Sequence, residues 1–267
     1  MGLFQSIKSS LRTLIHRRYS WPGIDIRLSG GQQLHLVGSI HMGTRDMSPL
    51  PPALIAKIQH ADALIVEADI SGSETPFNDL PEYAPLKERL TAEQFLQLEK
   101  LADETGVSLA LSDRQPLWQV AMILQAMQAQ QLGLRPQYGI DYQMLHCARE
   151  ANLQITELEG ADSQIALLRE LPDNGRVLLE DTLTHWHTNA RLLQMMIGWW
   201  MEQPPNEAPS LPNTFSHSLY DLLMHQRNLA WQQKLQALPP GRYVVAVGAL
   251  HLYGEGNLPS MLKARQT

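Results

Sequence analysis

The sequence of 267 residues contains one cysteine, no long apolar run and no excess of basic charge. A single cysteine, Cys147, excludes an intramolecular disulfide, which fits a reducing compartment. No apolar stretch approaches the ~18 residues that a membrane-spanning helix needs. The net charge of −6 provides no overall basic field for nucleic acid. We therefore expect a cytoplasmic protein with a substantial core and no nucleic-acid partner.

Several familiar catalytic signatures are also absent from the sequence. There is no nucleophile elbow for Ser or Cys, no P-loop and no complete dinucleotide-binding fingerprint. The segment Gly254–Gly256 has two glycines around Glu255 but lacks the remaining spacing of such a fingerprint. Any chemistry must therefore come from another arrangement of side chains.

The first 20 residues form a basic amphipathic segment. They lack the continuous apolar core and the small-residue cleavage site of a secretory signal. One interpretation is a helix on a membrane surface, in contact through residues 3–18. The other, which we favour, is a helix packed on its own domain. We treat residues 1–20 as this segment and residues 21–267 as a single domain.

Strand patterns occur near both ends of the chain. Ile24–Leu28 and Gln33–Val37 flank Ser-Gly-Gly, which is typical of a β-hairpin. Pro49–His60 predicts a helix, and Ala63–Ile70 has the apolar run of a strand buried on both faces. Tyr243–Val247 is the last predicted strand. The hairpin's second strand, the helix and the next strand form a β-α-β unit with a right-handed crossover.

The middle of the chain is predicted to be mostly helical. Thr91 and Gln94 resemble a capping box that opens a helix ending near Gly106. Asp141 is expected to cap a helix over Tyr142–Ala151. Further helices are predicted over Leu117–Leu132, Ser163–Leu171, Arg176–Met201, Phe215–Leu238 and Leu258–Ala264, with a short strand at Gln154–Leu158. The predicted fold is α/β: a small, mostly parallel sheet with N- and C-terminal strands and a large helical segment between them, its strand order left open.

Two predicted strands end in the same pattern, a glycine followed three residues later by a histidine. The first is Gly38 with His41, and the second is Gly248 with His251. Ligand sites in open α/β sheets form at the carboxyl ends of the strands. Imidazole binds metals and transfers protons near neutral pH. The pair therefore predicts two walls of one site, although a single histidine is more often a structural residue.

Two charged residues fall at positions that the pattern marks as buried. Glu67 ends an apolar strand, so it needs a cation or hydrogen-bond donors, and Asp69 is a candidate co-ligand on the same strand face. Arg227 lies on the apolar stripe of its helix, where arginine often meets a buried carboxylate or an oxyanion. A structural salt bridge for Glu67 and a surface position for Arg227 remain open alternatives.

Six short motifs along the chain resemble those of the TraB/GumN/PrgY family, which includes the Tiki metalloproteases. They are GSIH (38–41), VEAD (66–69), YGID (138–141), LEG (158–160), RN (227–228) and GALH (248–251). The resemblance spans residues 21–262. It implies a fold akin to the erythromycin-esterase and ChaN group, and a divalent-metal hydrolase site whose residues here are His41, Glu67, Arg227 and His251.

This resemblance implies a peptidase acting on a peptide or another small molecule. His41, His251 and Glu67 would bind Mn²⁺, Co²⁺ or Zn²⁺, with Glu67 as ligand or general base. Arg227 would hold the oxyanion or a substrate carboxylate. The alternatives are a non-catalytic protein that sequesters a ligand or peptide, and a metal-free esterase with His41 as general base. The sequence does not predict the oligomeric state.

Overall fold

The computed structural model describes residues 21–69, 81–204 and 216–264. The predicted amphipathic segment at residues 1–20 lies outside these ranges. Within them, no helix has the length and apolar character that crossing a membrane requires.

A five-stranded sheet organises the fold. Its strands are β1 (Gly23–Arg27), β2 (Gln32–Ser39), β3 (Ala63–Val66), β4 (Gln154–Glu157) and β5 (Gly241–Gly248). The order is β1-β2-β5-β3-β4. Only β1 runs antiparallel to its neighbour, in the predicted hairpin. The predicted α/β class, with strands from both ends of the chain in one mostly parallel sheet, is confirmed.

Most of the helices lie where the sequence predicts them. They are α1 (Pro52–Gln59), α2 (Leu86–Arg89), α3 (Ala92–Thr105), α4 (Leu109–Ser112), α5 (Leu117–Gln131), α6 (Ile140–Glu150), α7 (Ala161–Arg169), α8 (Pro172–Thr184), α9 (Trp186–Met201), α10 (His217–Tyr220), α11 (Gln226–Gln236) and α12 (Leu258–Ala264). The capping box of Thr91 and Gln94 opens α3, and Gly106 ends it with φ 73°.

Among the described residues, buried apolar side chains form two clusters. The larger cluster surrounds the sheet, where all four residues of β3 are buried, as predicted for a strand covered on both faces. The second cluster lies among α3, α5 and α8 and includes Trp118 and Leu179.

The prediction of one helix over Arg176–Met201 is wrong. The segment forms α8 and α9, and His185 between them has φ −103° and ψ 19°. Leu178, Leu179 and Leu183 of α8 pack in the helical cluster, whereas Trp199 and Trp200 of α9 pack against the sheet. Trp186 at the start of α9 also packs in the helical cluster, so the chain bends shortly before it passes from one cluster to the other.

The predicted helix over Phe215–Leu238 is also interrupted. Phe215 lies outside the described residues. Between α10 and α11, residues Asp221–His225 form a π-helical turn, and the Gln226 N–H donates to the carbonyl of Asp221. Such turns often occur at functional sites, and this one directly precedes Arg227.

Candidate functional site

The two glycine–histidine motifs lie side by side at the carboxyl edge of the sheet. In the parallel register of β2 and β5, Gly38 is opposite Val247 and Ser39 is opposite Gly248. A Cβ on Gly38 would lie 3.1 Å from the Cα of Ala249, so glycine allows the two segments to approach closely. The predicted adjacency of the two motifs is a direct result of this register.

His41 follows β2 and faces the start of α6. Its Nδ1 lies 2.8 Å from Oδ2 of Asp141, whose side chain is buried, while the His41 side chain is 63% exposed. At this distance the imidazole and the carboxylate form a close ion pair. The charge of Asp141 raises the pKa of His41 to about 9. At neutral pH His41 is therefore protonated.

The backbone of α6 holds this histidine segment in place. The Ile140 N–H donates to the carbonyl of Ile40 at 2.9 Å. A Cβ on Gly139 would lie 2.2 Å from the carbonyl oxygen of His41, so only glycine fits there. The prediction that Asp141 caps a helix at Tyr142 is wrong, because α6 begins at Ile140 and Asp141 lies in its first turn. There it pairs with His41.

Glu67 is buried and accepts hydrogen bonds at both carboxylate oxygens. The Gly248 N–H donates to Oε1 at 2.6 Å. Nη2 of Arg227 donates to Oε2 at 2.6 Å, and Gln164 of α7 donates to the same oxygen at 3.2 Å. Burial disfavours the charged form, but the charges of Arg227, His251 and His41 outweigh it and lower the pKa of Glu67 to about 2. The carboxylate is ionised throughout the physiological range.

Arg227 is the central cation of the site, and each of its five N–H donors has a protein acceptor. Nε and Nη2 donate to the carboxylate of Glu159 at 2.8 and 3.0 Å, and Nη2 also donates to Glu67. Nη1 donates to the carbonyl of Leu223 at 3.2 Å and lies 3.3 Å from Nε2 of His251. Burial opposes its charge, but Glu67 and Glu159 prevail and raise the pKa of Arg227.

His251 is buried and held in one tautomer by its neighbours. Nδ2 of Asn228 donates to the carbonyl of Gly256 at 3.1 Å, so Oδ1 of Asn228 faces Nδ1 of His251 at 2.7 Å. The proton therefore belongs on Nδ1, and Nε2 is the acceptor. Burial lowers the pKa of His251 to about 4, so the ring is neutral at pH 7.

The ring of Trp231 packs against both His251 and Arg227. Its ring centroid lies 4.4 Å from that of His251, and the guanidinium carbon of Arg227 lies 4.6 Å above the Trp231 ring. This cation–π contact favours the charged guanidinium in its observed position.

The structure brings Glu67, Arg227 and His251 into direct contact. His41 lies against Asp141, and its charge acts on Glu67. Asp69, the candidate co-ligand, lies elsewhere: β3 ends at Val66, and Arg149 donates to Oδ1 of Asp69 at 2.7 Å. Glu67 and Asp69 both lie beyond the end of the strand, so the prediction that they share one strand face does not apply. The structure gives no support to Asp69 as a ligand.

Residue-by-residue reasoning missed three partners of the site. Asp141 was expected only to cap a helix, and Glu159 and Asn228 were not among the predicted site residues, yet they contact His41, Arg227 and His251 respectively. Each belongs to one of the short motifs of the family resemblance, YGID, LEG or RN. Those motifs were the signal that could have identified them.

The donor set suits a divalent metal in its chemistry. Two imidazoles and one carboxylate are ligands for several such metals, and each histidine has an oxygen partner at Nδ1, as metal-bound histidines do. In the described conformation Nε2 of His251 faces Arg227, and a metal at Nε2 would replace that 3.3 Å contact. Over residues 21–69, 81–204 and 216–264, no three His, Cys, Asp or Glu side chains are already arranged around one point for a metal.

Comparison with known proteins links this chain to one family. Residues 25–267 match the sequence profile of the TraB/PrgY/gumN family. The chain is 60% identical to the "Uncharacterized protein YbaP" of Escherichia coli (strain K12) over 98% of this chain and 100% of that protein. The same identity and coverage hold for the "Uncharacterized protein YbaP" of Shigella flexneri. No solved structure matches the chain.

Proposed function

The chain belongs to the TraB/PrgY/gumN family, and from this premise we propose that it is a metal-dependent hydrolase, most specifically a peptidase. The main observation in support is the contact of Glu67, Arg227 and His251 at the carboxyl edge of the sheet, with His41 on the adjacent strand end. Structural salt bridges alone do not require two histidines with oriented Nδ1 atoms beside them.

His41, His251 and Glu67 are the residues that would bind the metal, with Mn²⁺, Co²⁺ and Zn²⁺ as candidates. A bound divalent metal supplies a water of lowered pKa and polarises a carbonyl. The histidines would bind through Nε2, since Nδ1 of each faces Asp141 or Asn228, and His41 would release its Nε2 proton when the metal binds.

The remaining chemistry belongs to the side chains themselves. Arg227 keeps Glu67 ionised, so that this carboxylate can bind a cation without first losing a proton. Burial keeps His251 neutral, so its Nε2 has a lone pair, which Nη1 of Arg227 contacts at 3.3 Å and which a metal would take over. The 63% exposed side chain of His41 supports entry of a peptide or small molecule from that side.

Metal titration tests this proposal. We expect purified protein, stripped with chelator and titrated with Mn²⁺ by calorimetry, to bind one ion per chain, and His41→Ala and His251→Ala each to weaken binding. His60→Ala is the control, because His60 is exposed and contacts the carbonyl of Ala56 instead. Equal binding by wild type and both site variants, or no binding by wild type, would overturn the metal site.

A metal-free hydrolase is the second candidate, and the His41–Asp141 ion pair favours it. A carboxylate beside one nitrogen of an exposed imidazole is the arrangement of a general base. With a pKa of about 9, such a base predicts a rate that rises with pH up to that value and is unaffected by chelator. Metal dependence of the rate would exclude this candidate. Stoichiometric binding of a peptide without product would instead indicate a sequestering protein.

A further inference from the structure

The LEG motif brings a second glutamate to the arginine of the site. Beyond β4, the Leu158 N–H donates to the carbonyl of Val66 at 2.8 Å. The N–H groups of Glu159 and Gly160 both donate to the carbonyl of Glu67, at 2.9 and 3.0 Å. Gly160 has φ +87°, which favours glycine. The backbones of Glu67 and Glu159 are therefore fixed beside each other.

Glu159 then binds Arg227 through two parallel hydrogen bonds. Nε to Oε1 is 2.8 Å and Nη2 to Oε2 is 3.0 Å. The side chains of Glu159 and Arg227 are 14% and 16% exposed, so water competes weakly for these donors. Two parallel bonds fix the plane of a guanidinium as well as its position.

This orientation determines what the rest of the guanidinium can reach. With Nε and one hydrogen of Nη2 held by Glu159, the second hydrogen of Nη2 is directed to Glu67. Nη1 is left near Leu223 and His251. A single bond in place of the bidentate pair would let the guanidinium rotate away from Glu67.

We propose that Glu159 is a positioning residue, which holds Arg227 in the one orientation that bridges Glu67 and His251. The expected effect on kcat rests on the proposed function, whereas the role of Glu159 in orienting Arg227 rests on the geometry alone. Glu159 acts through Arg227, so its loss affects the reaction step more than substrate affinity.

The test compares Glu159→Gln with Glu157→Gln. Glutamine keeps the shape of glutamate but loses its charge and one acceptor oxygen. Glu157 is the matched control because it lies two residues away and accepts from the Asp69 N–H instead. Glu159→Ala is a stronger variant, and the isosteric glutamine variant keeps the test valid if the alanine variant fails to fold.

Two measurements are made on each variant. In the ¹⁵N NMR spectrum, the Arg227 Nε–H should give a slowly exchanging resonance in wild type and Glu157→Gln, and exchange rapidly in Glu159→Gln. With a peptide that the wild type hydrolyses as the substrate, kcat of Glu159→Gln should fall ~10–100-fold while KM changes little. Losses of this size are typical when a residue that orients a site residue is replaced.

An Arg227 Nε–H that exchanges as slowly in Glu159→Gln as in wild type would overturn the proposal. So would an unchanged kcat, or a raised KM with unchanged kcat, since the last result would place Glu159 in contact with the substrate. If wild type hydrolyses no peptide, the proposed function fails, and the NMR comparison still decides the role of Glu159.

Discussion

Glu67 and Arg227 form a buried ion pair, with 2.6 Å between Oε2 and Nη2. Their side chains are only 8% and 16% exposed, and the residues are separated by 160 positions in sequence. The pair joins the end of β3 to the start of α11, and it holds the candidate site together.

Removing the guanidinium should therefore destabilise the fold. Arg227→Met leaves the carboxylates of Glu67 and Glu159 without a cation, and breaking a buried pair in this way costs ~3–5 kcal/mol. Denaturant unfolding followed by circular dichroism measures this loss.

Arg149→Met is the matched control for that measurement. Arg149 and its partner Asp69 are 42% and 31% exposed, and such surface pairs contribute ~0–1 kcal/mol. If the two variants lost the same free energy of unfolding, the Glu67–Arg227 pair would not be the support that the structure indicates.

The ion pair of His41 and Asp141 predicts a pH dependence. Asp141 raises the pKa of His41 from 6.5 to about 9, so the pair stabilises the fold fully below pH 6.5. That contribution is lost as the pH rises through 9, because His41 then loses its proton in the folded state as well.

Proton NMR can follow the His41 titration directly. In Asp141→Asn, the pKa of His41 should fall towards 6.5, and unfolding free energy should decline less between pH 6.5 and 9 than it does in wild type. A pKa of His41 that does not respond to Asp141→Asn would contradict the assignment.

A glycine in the YGID motif provides a steric prediction. In Gly139→Ala, the new Cβ would lie 2.2 Å from the carbonyl oxygen of His41, so backbone must shift. We expect a loss of ~1–3 kcal/mol of unfolding free energy, as for other overpacked sites, and a changed His41 resonance.

The control for this substitution is Gly198→Ala. Gly198 lies within α9, where an added Cβ meets no atom within 4 Å. Alanine is the better helix former there and should stabilise the protein by ~0.5–1 kcal/mol. We expect the free energy of unfolding to fall in Gly139→Ala and to rise in Gly198→Ala. Equal destabilisation of the two variants would argue against the close approach of Gly139 to His41.

The sequence predicts the sheet well because its strands carry strong local patterns. The apolar run of Ala63–Val66 and the Ser-Gly-Gly turn of the hairpin act over a few residues. Strand order, in contrast, depends on pairing between distant segments of the chain. β5 pairs with both β2 and β3, which lie far from it in sequence (Gln32 is opposite Gly241, and Ala63 is opposite Tyr243), and no local pattern encodes which neighbours it selects.

The site residues divide in the same way. The two glycine–histidine motifs, Glu67 and Arg227 each stand out because a polar group interrupts an apolar pattern. Asp141, Asn228 and Glu159 do not, because a polar residue near a helix end has an ordinary capping role. Their partners come from other elements, so only the folded structure separates the two roles.

The sequence contains no local pattern that predicts the helix break at His185. The sequence through it is compatible with helix, and the bend lies shortly before the point where the chain passes from the helical cluster to the cluster around the sheet. Helix periodicity describes which face is apolar but not which cluster that face will meet.

Turnover of a peptide library is the measurement that tests the central claim most directly. The Mn²⁺-loaded protein should release more than one product molecule per chain, lose that activity with chelator and regain it with Mn²⁺. His41→Ala and His251→Ala should each lose the activity, while His60→Ala keeps it. No turnover by wild type, or equal turnover by both site variants, would contradict a hydrolase site built on these residues.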